Sequence, residues 1–583
     1  MEVSMKKSSQ KKLISFFLII ISFFLAGWFQ GTETKKPEKI IKIMEDELNR
    51  SMKKLKLPDF QPPYFISYLM RESQLFSVSA KYGAIFSKNK RNVRSIYCET
   101  RVGNYKFDSS SVSGSPFGFS KDYSLAGMYG FSSAPIDDDE RAIRTSLWLL
   151  TDSKYKRALS SYLKKKSEKI FKVDKEEEEL DDFSREESDI FISKKEKLEY
   201  DEKKIIKTLR YISSIFNEYP EITNSGVEAE GRVLSKYFVN SEGQKFFTSY
   251  PLYMSSINAT LITEDGEALS NQDVFYDIDP DSVVDKQRLE KRVRKLISEL
   301  KALSKAEKMD PYAGPAILSP KVTGVFFHEA IGHRLEGERQ RTDEEGQTFK
   351  GKVGKKIIPE FLTVEDDPTL KYFNGVHLNG FYEYDDEGVK AQKVELIKDG
   401  VLKNFLLSRT PIKGFNKSNG HGRASGQRKP MGRMANLIIK SSKEYSADEL
   451  KRMLIEEAKK RGKKFGLIIR DIEGGGETST SRRSFQAFRS TPKLVYKVDV
   501  ETGEETLVRG VEIVGTPLIS INRIIATGKD YEVFNGYCGA ESGSVPVSTV
   551  APSVLIEEIE LQRKPLKKTR PPILEKPQIE INQ

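Results

Sequence analysis

The sequence predicts an α+β protein: a mixed α/β amino-terminal domain followed by a carboxyl-terminal domain of mostly antiparallel β-structure with one short helix. Three observations predict it. Helical apolar spacing recurs at Ile40–Leu55, Asp137–Lys166 and Val284–Met309 with strand-like segments between, the pattern of helices layered on a sheet. From Pro311 to Gln562 the chain reads as strand and turn after one apolar helix near residue 325. Of 583 residues, 10% are aromatic and only 2 are Cys, which excludes both a disordered chain and a disulfide-built scaffold.

The first element is predicted to be an export signal. Lys6, Lys7, Lys11 and Lys12 lead into an uncharged run, Leu13–Phe29; basic residues followed by an apolar core are the pattern of secretory targeting. Ala26 and Gly27 are small, but Trp28 and Phe29 follow them. The run is near the lower bound of about 17–25 residues for crossing a bilayer, so an uncleaved membrane anchor is the alternative. Both readings put the body outside the cytoplasm, whether periplasmic, on the cell surface or secreted. Residues 1–31 are therefore set apart from the fold.

The amino-terminal domain, 32–310, opens with a helix at Ile40–Leu55, with Ile41, Met44, Leu48, Met52 and Leu55 on one stripe. Pro58, Pro62 and Pro63 stop it. Strands are expected at Tyr64–Met70, Leu75–Ser79, Gly83–Phe86, Arg91–Glu99 and Arg101–Phe107. Ile143, Leu147, Leu150 and Tyr155 then mark a helix over Asp137–Lys166. A charged insertion follows, about 165–205. Its Asp174–Asp189 segment sets ten acids against Lys175 and Arg185 and reads as solvated helix or disordered chain. Turns at Val239–Gly243 and Thr263–Gly266 separate further strands, and a helix over Val284–Met309, striped by Leu289, Val293, Leu296, Ile297 and Leu300, leads into the next domain.

In the carboxyl-terminal domain, 311–562, Asp399-Gly400 lies between Val394–Ile397 and Val401–Leu407, and Thr502-Gly503 between Leu494–Val500 and Thr506–Val508; both are hairpin signals. Gly474–Gly476 reads as a flexible loop and not a phosphate cradle, since no Lys-Ser/Thr pair follows it. Residues 563–583, with four Pro and six bases, form a loose basic tail. The formal charge is +11, but residues 1–12 and the tail carry +7 of it. The body is nearly balanced and has no basic stripe interleaved with aromatics, which argues against nucleic-acid binding.

The chemistry concentrates on the one short helix. Ser319 is a good N-cap, and Pro320 at the first helical position loses no hydrogen bond that would otherwise form. Val322, Val325 and Phe326 can bury one side, and His328, Glu329 and His333 follow. The two imidazoles are five residues apart, roughly 140° around a regular helix, unlike the i, i+4 pair of the His-Glu-x-x-His metalloprotease motif. Both reach one metal only if the helix widens by a residue or ends between them, so irregular backbone is predicted at Gly332. The chain has 4 His, and half of them fall here, beside a carboxylate of the kind that deprotonates water. Cys538, in Gly536-Tyr-Cys-Gly539, is a lone thiolate candidate in a glycine-flanked turn; the alternative, in an oxidising compartment, is a disulfide with Cys98. His377 and His421 have no partner at a recognisable spacing, and His421, in Asn419–Arg423, reads as a structural loop residue. Glu336 and Glu338 either support the helix or are solvated.

These residues resemble the TldD/PmbA peptidases, whose active members carry His-Glu-x-x-x-His and a carboxyl-terminal Cys. The resemblance runs through His328–Gly337, Asp385–Val389, Arg428–Asn436, Tyr496–Gly510 and Tyr537–Gly539 with Val545–Val547, and upstream through Leu147–Asp152 and Tyr155–Arg157. It covers nearly all of the chain beyond the export signal. It implies a Zn2+ site of His328, His333 and Cys538, which makes the short helix the metal-binding helix of its domain, with Glu329 as the general base that activates the attacking water. It further implies a peptide or unfolded polypeptide as substrate, laid as an extended strand along a β-edge and cut with low sequence selectivity. A dimer is implied too, of identical chains or with a paralogue. Arg433 and His421 are candidates for substrate contact; where the family's segment usually has Pro, Gly432 stands here. The alternative is a catalytically silent peptide-binding subunit of such a dimer, and the intact His328, Glu329, His333 and Cys538 set argues for the active role.

Overall fold

The computed structural model describes residues 35–110, 133–171, 180–341, 347–473, 477–478, 488–515 and 517–565, with 568–570, 572–574 and 577. The predicted export signal, residues 1–31, and Gly474–Gly476 lie outside the described residues. No helix among the described residues is long and apolar enough to cross a membrane.

The amino-terminal half is one mostly antiparallel sheet with helices laid on it. α1 (Lys35–Lys54) precedes two long strands, β1 (Pro63–Lys81) and β2 (Ala84–Val102), and then α2 (Glu140–Phe171) and α3 (Glu202–Ser214). β3 (Ile222–Asn240), β4 (Lys245–Ile262) and β5 (Ala268–Asp277) complete the strand order β2–β1–β3–β4–β5, and α4 (Lys286–Lys305) closes the half. Side chains alternate faces along a strand, and here the alternation divides the work. Ile66, Tyr68 and Met70 of β1 pack under α1 and α2 with Met44 and Leu147, while Phe76, Val78 and Ala80 pack under α3 and α4 with Leu209 and Leu296. The other face presents Leu69, Phe238 and Phe246 to Tyr384 of the carboxyl-terminal half.

The strands expected between residues 64 and 99 are two long ones. Polar runs such as Arg71-Glu72-Ser73 suggested breaks, but Arg71 and Glu72 are buried with partners: Arg94 lies 2.7 Å from Glu72, and Arg71 3.2 Å from Asp386. The acidic insertion is corrected in the same way. Over its described part, Asp182 is buried and takes Lys165 at 2.5 Å, Phe183 is 2% exposed, Ile190–Ile192 joins the edge of β4, and Asp189 accepts from Tyr384 at 2.6 Å. Asp182 is thus matched by a cation from another element, whereas Glu187 and Asp189 stay exposed.

The carboxyl-terminal half stacks two sheets around a helix. β6 (Tyr312–Leu318) leads into α5 (Pro320–Ala330), followed by β7 (Leu362–Asp366), β8 (Val394–Lys398), β9 (Asn436–Ser441) and α6 (Ala447–Lys460). β10 (Phe465–Ile472), β11 (Pro492–Asp499), β12 (Glu505–Arg509), β13 (Glu532–Ala540), β14 (Gly543–Ala551) and β15 (Val554–Arg563) complete it. One sheet runs β8–β7–β9–β14–β13, with β13 at its edge; the spine of the other is β15–β6–β10–β11–β12. Pairing is mostly antiparallel, but β9–β14 and β6–β10 run parallel. α5 lies between the sheets: Val322, Val325, Phe326 and Phe327 share one core with Leu318, Ile469, Val547 and Cys538, as expected of a helix apolar on all sides.

Both predicted hairpins form. Asp399 and Gly400 take φ of 47° and 75° between β8 and Val401–Leu402, although that second strand stops well short of Leu407. Thr502-Gly503 joins β11 to β12. The domain has more than one helix: α6 is an amphipathic helix with a Ser446–Glu449 capping box, burying Leu450, Leu454 and Ala458. The described part of the tail reaches back to the amino-terminal half, where Thr569 N–H donates to the Gly266 carbonyl at 2.8 Å.

Candidate metal centre

The helix carrying the histidines begins as its sequence dictates: Ser319 Oγ accepts from the Val322 N–H at 3.4 Å and Pro320 is the first helical residue. It stops at Ala330. Ile331, at φ −113° and ψ −53°, leaves the regular path, and a 3-10 turn, Gly332–Leu335, carries His333. The helix thus ends between the two imidazoles, and the irregular backbone falls at Gly332. The glycine serves close approach rather than backbone freedom, because a Cβ there would overlap Met434 Sδ.

This break turns both rings toward edge strand β13. His328 Nε2 lies 3.1 Å and His333 Nε2 3.5 Å from Cys538 Sγ, with the rings perpendicular and their centroids 5.0 Å apart. One ligand atom from each residue falls within 4.8 Å of the others, close enough to hold a single metal ion. His328, His333 and Cys538 are 9%, 7% and 3% exposed, and Glu329 beside them is 6% exposed, with Oε2 3.9 Å from His333 Nε2. Burial would raise the Cys538 thiol, but the His333 and His328 imidazoles outweigh it and hold the thiol well below its ordinary range. Burial would lower His333, but the Cys538 sulfur and the Glu336 carboxylate push it well above the usual imidazole range.

A buried charge network surrounds the three residues. His333 Nδ1 donates to Glu336 Oε1 at 3.0 Å, and Nε2 faces the Cys538 sulfur. Glu336 is fully buried; burial would raise its carboxyl, but Arg339 and His333 hold it well below the usual carboxylate range. Glu338 is half-buried, bonded to Ser408 Oγ and accepting the Gly432 N–H at 2.8 Å. Gly432 is thereby explained: a Pro has no N–H to give Glu338, and a Cβ would overlap the Leu406 carbonyl.

Two residues considered for substrate contact are placed elsewhere. Arg433 is completely buried behind Cys538, with no side-chain surface to offer a substrate. His421 is also completely buried, with Nδ1 3.0 Å from the Asn419 carbonyl and Nε2 3.2 Å from Asp366; it fixes a loop. Cys98 and Cys538 are not joined. Cys98 sits in the core under α2 near Thr100 and Thr151, where burial pushes its thiol up to about 11. Motif reading missed Arg339, Arg433 and Glu541 as parts of the network, since nothing local to them signals it.

Residues 312–563 match the family described as the PmbA/TldA metallopeptidase C-terminal domain. A metalloprotease of Methanocaldococcus jannaschii is 35% identical over 233 residues, 40% of this chain and 47% of that protein. A zinc metalloprotease TldD homolog of Saccharolobus solfataricus is 27% identical over 372 residues, 62% of this chain and 76% of that protein. The carboxyl-terminal half, residues 312–563, is similar to the PmbA/TldD metallopeptidases. The chain spans about half the length of the archaeal metalloproteases that it matches at 35% identity. TldE from Thermococcus kodakarensis superposes with a TM-score of 0.56 and 16% identity, covering 89% of this chain and 100% of its own. That likeness is one of fold, and it extends over both halves.

Proposed function

We propose that the protein is an exported zinc-dependent peptidase that hydrolyses peptides or unfolded polypeptides with low sequence selectivity. The observation that carries this is the convergence of His328, His333 and Cys538 within 4.8 Å beside a buried Glu329. Two imidazoles and one thiolate suit zinc, and three protein ligands leave the fourth tetrahedral position open, as in catalytic rather than structural sites. Zinc bound there would supply Lewis-acid polarisation and bring the pKa of water from 15.7 to about 7. Glu329 takes the proton from the attacking water and returns it to the leaving amine. Glu336 keeps His333 in the tautomer that presents Nε2. The printed names of the archaeal relatives, a metalloprotease and a zinc metalloprotease, support the metal and its identity.

The surroundings support an extended substrate. β13 carries Cys538 and has no strand on its outer edge among the described residues, so its main-chain groups are open to strand addition. β5, an edge of the amino-terminal sheet, comes up to it: the Tyr276 and Tyr537 rings are 6.3 Å apart. A chain held by its backbone in this gap is read with little regard to its side chains, and the burial of the ligands admits only unfolded segments. Export is supported by the basic and apolar amino end, and a dimer, of identical chains or with a paralogue, is part of the proposal.

The test is to incubate the purified full chain with an unstructured peptide mixture, with and without a chelator, and to read the fragments by mass. Fragments that vanish with chelator and return with zinc are expected. Intact peptides in every tube would sink the peptidase reading in favour of a silent subunit.

A further inference from the structure

Arg433 comes from neither the histidine helix nor the cysteine strand, yet it touches the supports of both. Its Nη2 donates to the Cys538 carbonyl at 2.8 Å and lies 3.1 Å from Cys538 Sγ. Its Nη1 donates to Ser542 Oγ at 2.8 Å and to the Gly543 carbonyl at 3.0 Å, at the turn between β13 and β14. Its Nε is an ion-pair neighbour of Glu336 Oε1 at 3.2 Å without a hydrogen bond between them, and that oxygen also accepts from His333 Nδ1. Arg339 reinforces the link, donating to Glu336 Oε2 at 2.8 Å and to both Glu541 oxygens at 3.1 and 2.9 Å.

We propose that Arg433 is a positioning residue for the metal site, fixing the Cys538 sulfur directly and the His333 ring through Glu336, so that the ligands stand in binding geometry before a metal arrives. The proposal rests on the metal site described under the proposed function. A guanidinium needed only to close the fold would be satisfied by the carbonyls and the hydroxyl; here one N–H is given to the sulfur that would be a ligand. A buried Arg requires compensating negative charge, which Glu336 supplies 3.2 Å from Nε, while Nη2 faces the Cys538 sulfur at 3.1 Å. The planar fork reaches them together, which an ammonium cannot do. An N–H directed at a thiolate also lowers the energy of its lone pairs and so tunes it as a donor.

The experiment uses the full chain, with Co2+ to report sulfur ligation through its charge-transfer absorbance and Zn2+ in competition with a chromophoric chelator. Arg433→Lys keeps the charge but loses the simultaneous contacts, and zinc affinity is expected to fall about 10–100-fold. In Arg433→Met the Co2+ charge-transfer band moves to lower energy, because the sulfur loses its donor. Wild-type zinc affinity in Arg433→Lys, or an unshifted band in a folded Arg433→Met, overturns the proposal. Should Arg433→Met fail to fold, the affinity of Arg433→Lys decides alone. A wild-type protein that takes up neither ion refutes the metal site itself, a result distinct from variants that bind as tightly as wild type.

Discussion

Glu329 stands next to a candidate ligand in sequence without being one of the three converging donors, so altering it is expected to separate chemistry from metal binding. Glu329→Gln preserves shape and is expected to retain zinc while kcat falls roughly 10²–10⁴-fold, the usual worth of a general base; metal analysis and peptide turnover on the same preparation check both. Undiminished turnover removes Glu329 from the reaction. A second carboxyl belongs to stability. Burial, and then the Asp385 carboxylate beside it, push Glu387 up to about 8, and burial pushes Asp385 up to about 7. The unfolded chain gives up these protons near an ordinary carboxyl pKa of about 4. Between about pH 4 and pH 8 the folded state therefore holds more protons, and stability falls as pH rises: the contribution is complete below the lower limit and lost above the upper. Glu387→Gln keeps an acceptor for the Arg409 N–H, now 2.6 Å from Glu387 Oε2, and is expected to flatten the decline in melting temperature across this window. An unchanged slope would show that the pair does not govern it.

At the scale of elements, the end of α5 is set by packing. Gly332→Ala forces a Cβ against Met434 Sδ and is expected to cost about 1–3 kcal/mol, the range for overpacking. Combining it with Met434→Ala is expected to recover part of that cost, and a double-mutant cycle by chemical denaturation reads the coupling; strictly additive effects would show that this contact does not hold the turn. The contrast between local and distant information also explains what the sequence revealed. Ser319-Pro320, Asp399-Gly400 and Thr502-Gly503 act within a few residues, and each marks its element. α6 was legible too, since Ser446, Glu449, Leu450 and Leu454 form a capping box and an apolar stripe, but strand signals on either side masked it. The unbroken β1 was not legible, because Arg71 and Glu72 look like a turn until Asp386 and Arg94 are placed beside them. The ligand set was suggested by His328, His333 and Cys538, but the Arg433–Glu336 link depends on a fold that brings distant segments together, and no spacing encodes it.

For the molecule as a whole, the proposed substrate gap depends on both halves, whereas all three candidate ligands come from one. Arg409 fastens the halves: its guanidinium reaches Glu242 at 2.7 and 2.8 Å, bonds the Ser184 carbonyl and lies 3.9 Å from the Phe183 ring centre. Lys236 joins them again through Asp386 at 2.7 Å. Arg409 is 1% exposed, so Arg409→Met strands Glu242 without its cation and is expected to cost about 3 kcal/mol, the lower end for breaking a buried pair because Glu242 retains some solvent. If Tyr276 and Tyr537 frame the substrate from opposite halves, the same variant keeps its zinc but cuts long unfolded substrates less efficiently, with kcat/KM falling more for them than for short peptides that need only β13. Equilibrium unfolding, zinc content and cleavage of a length series test this together. Equal losses at every length would mean that the amino-terminal half stabilises the site without helping to hold the chain being cut.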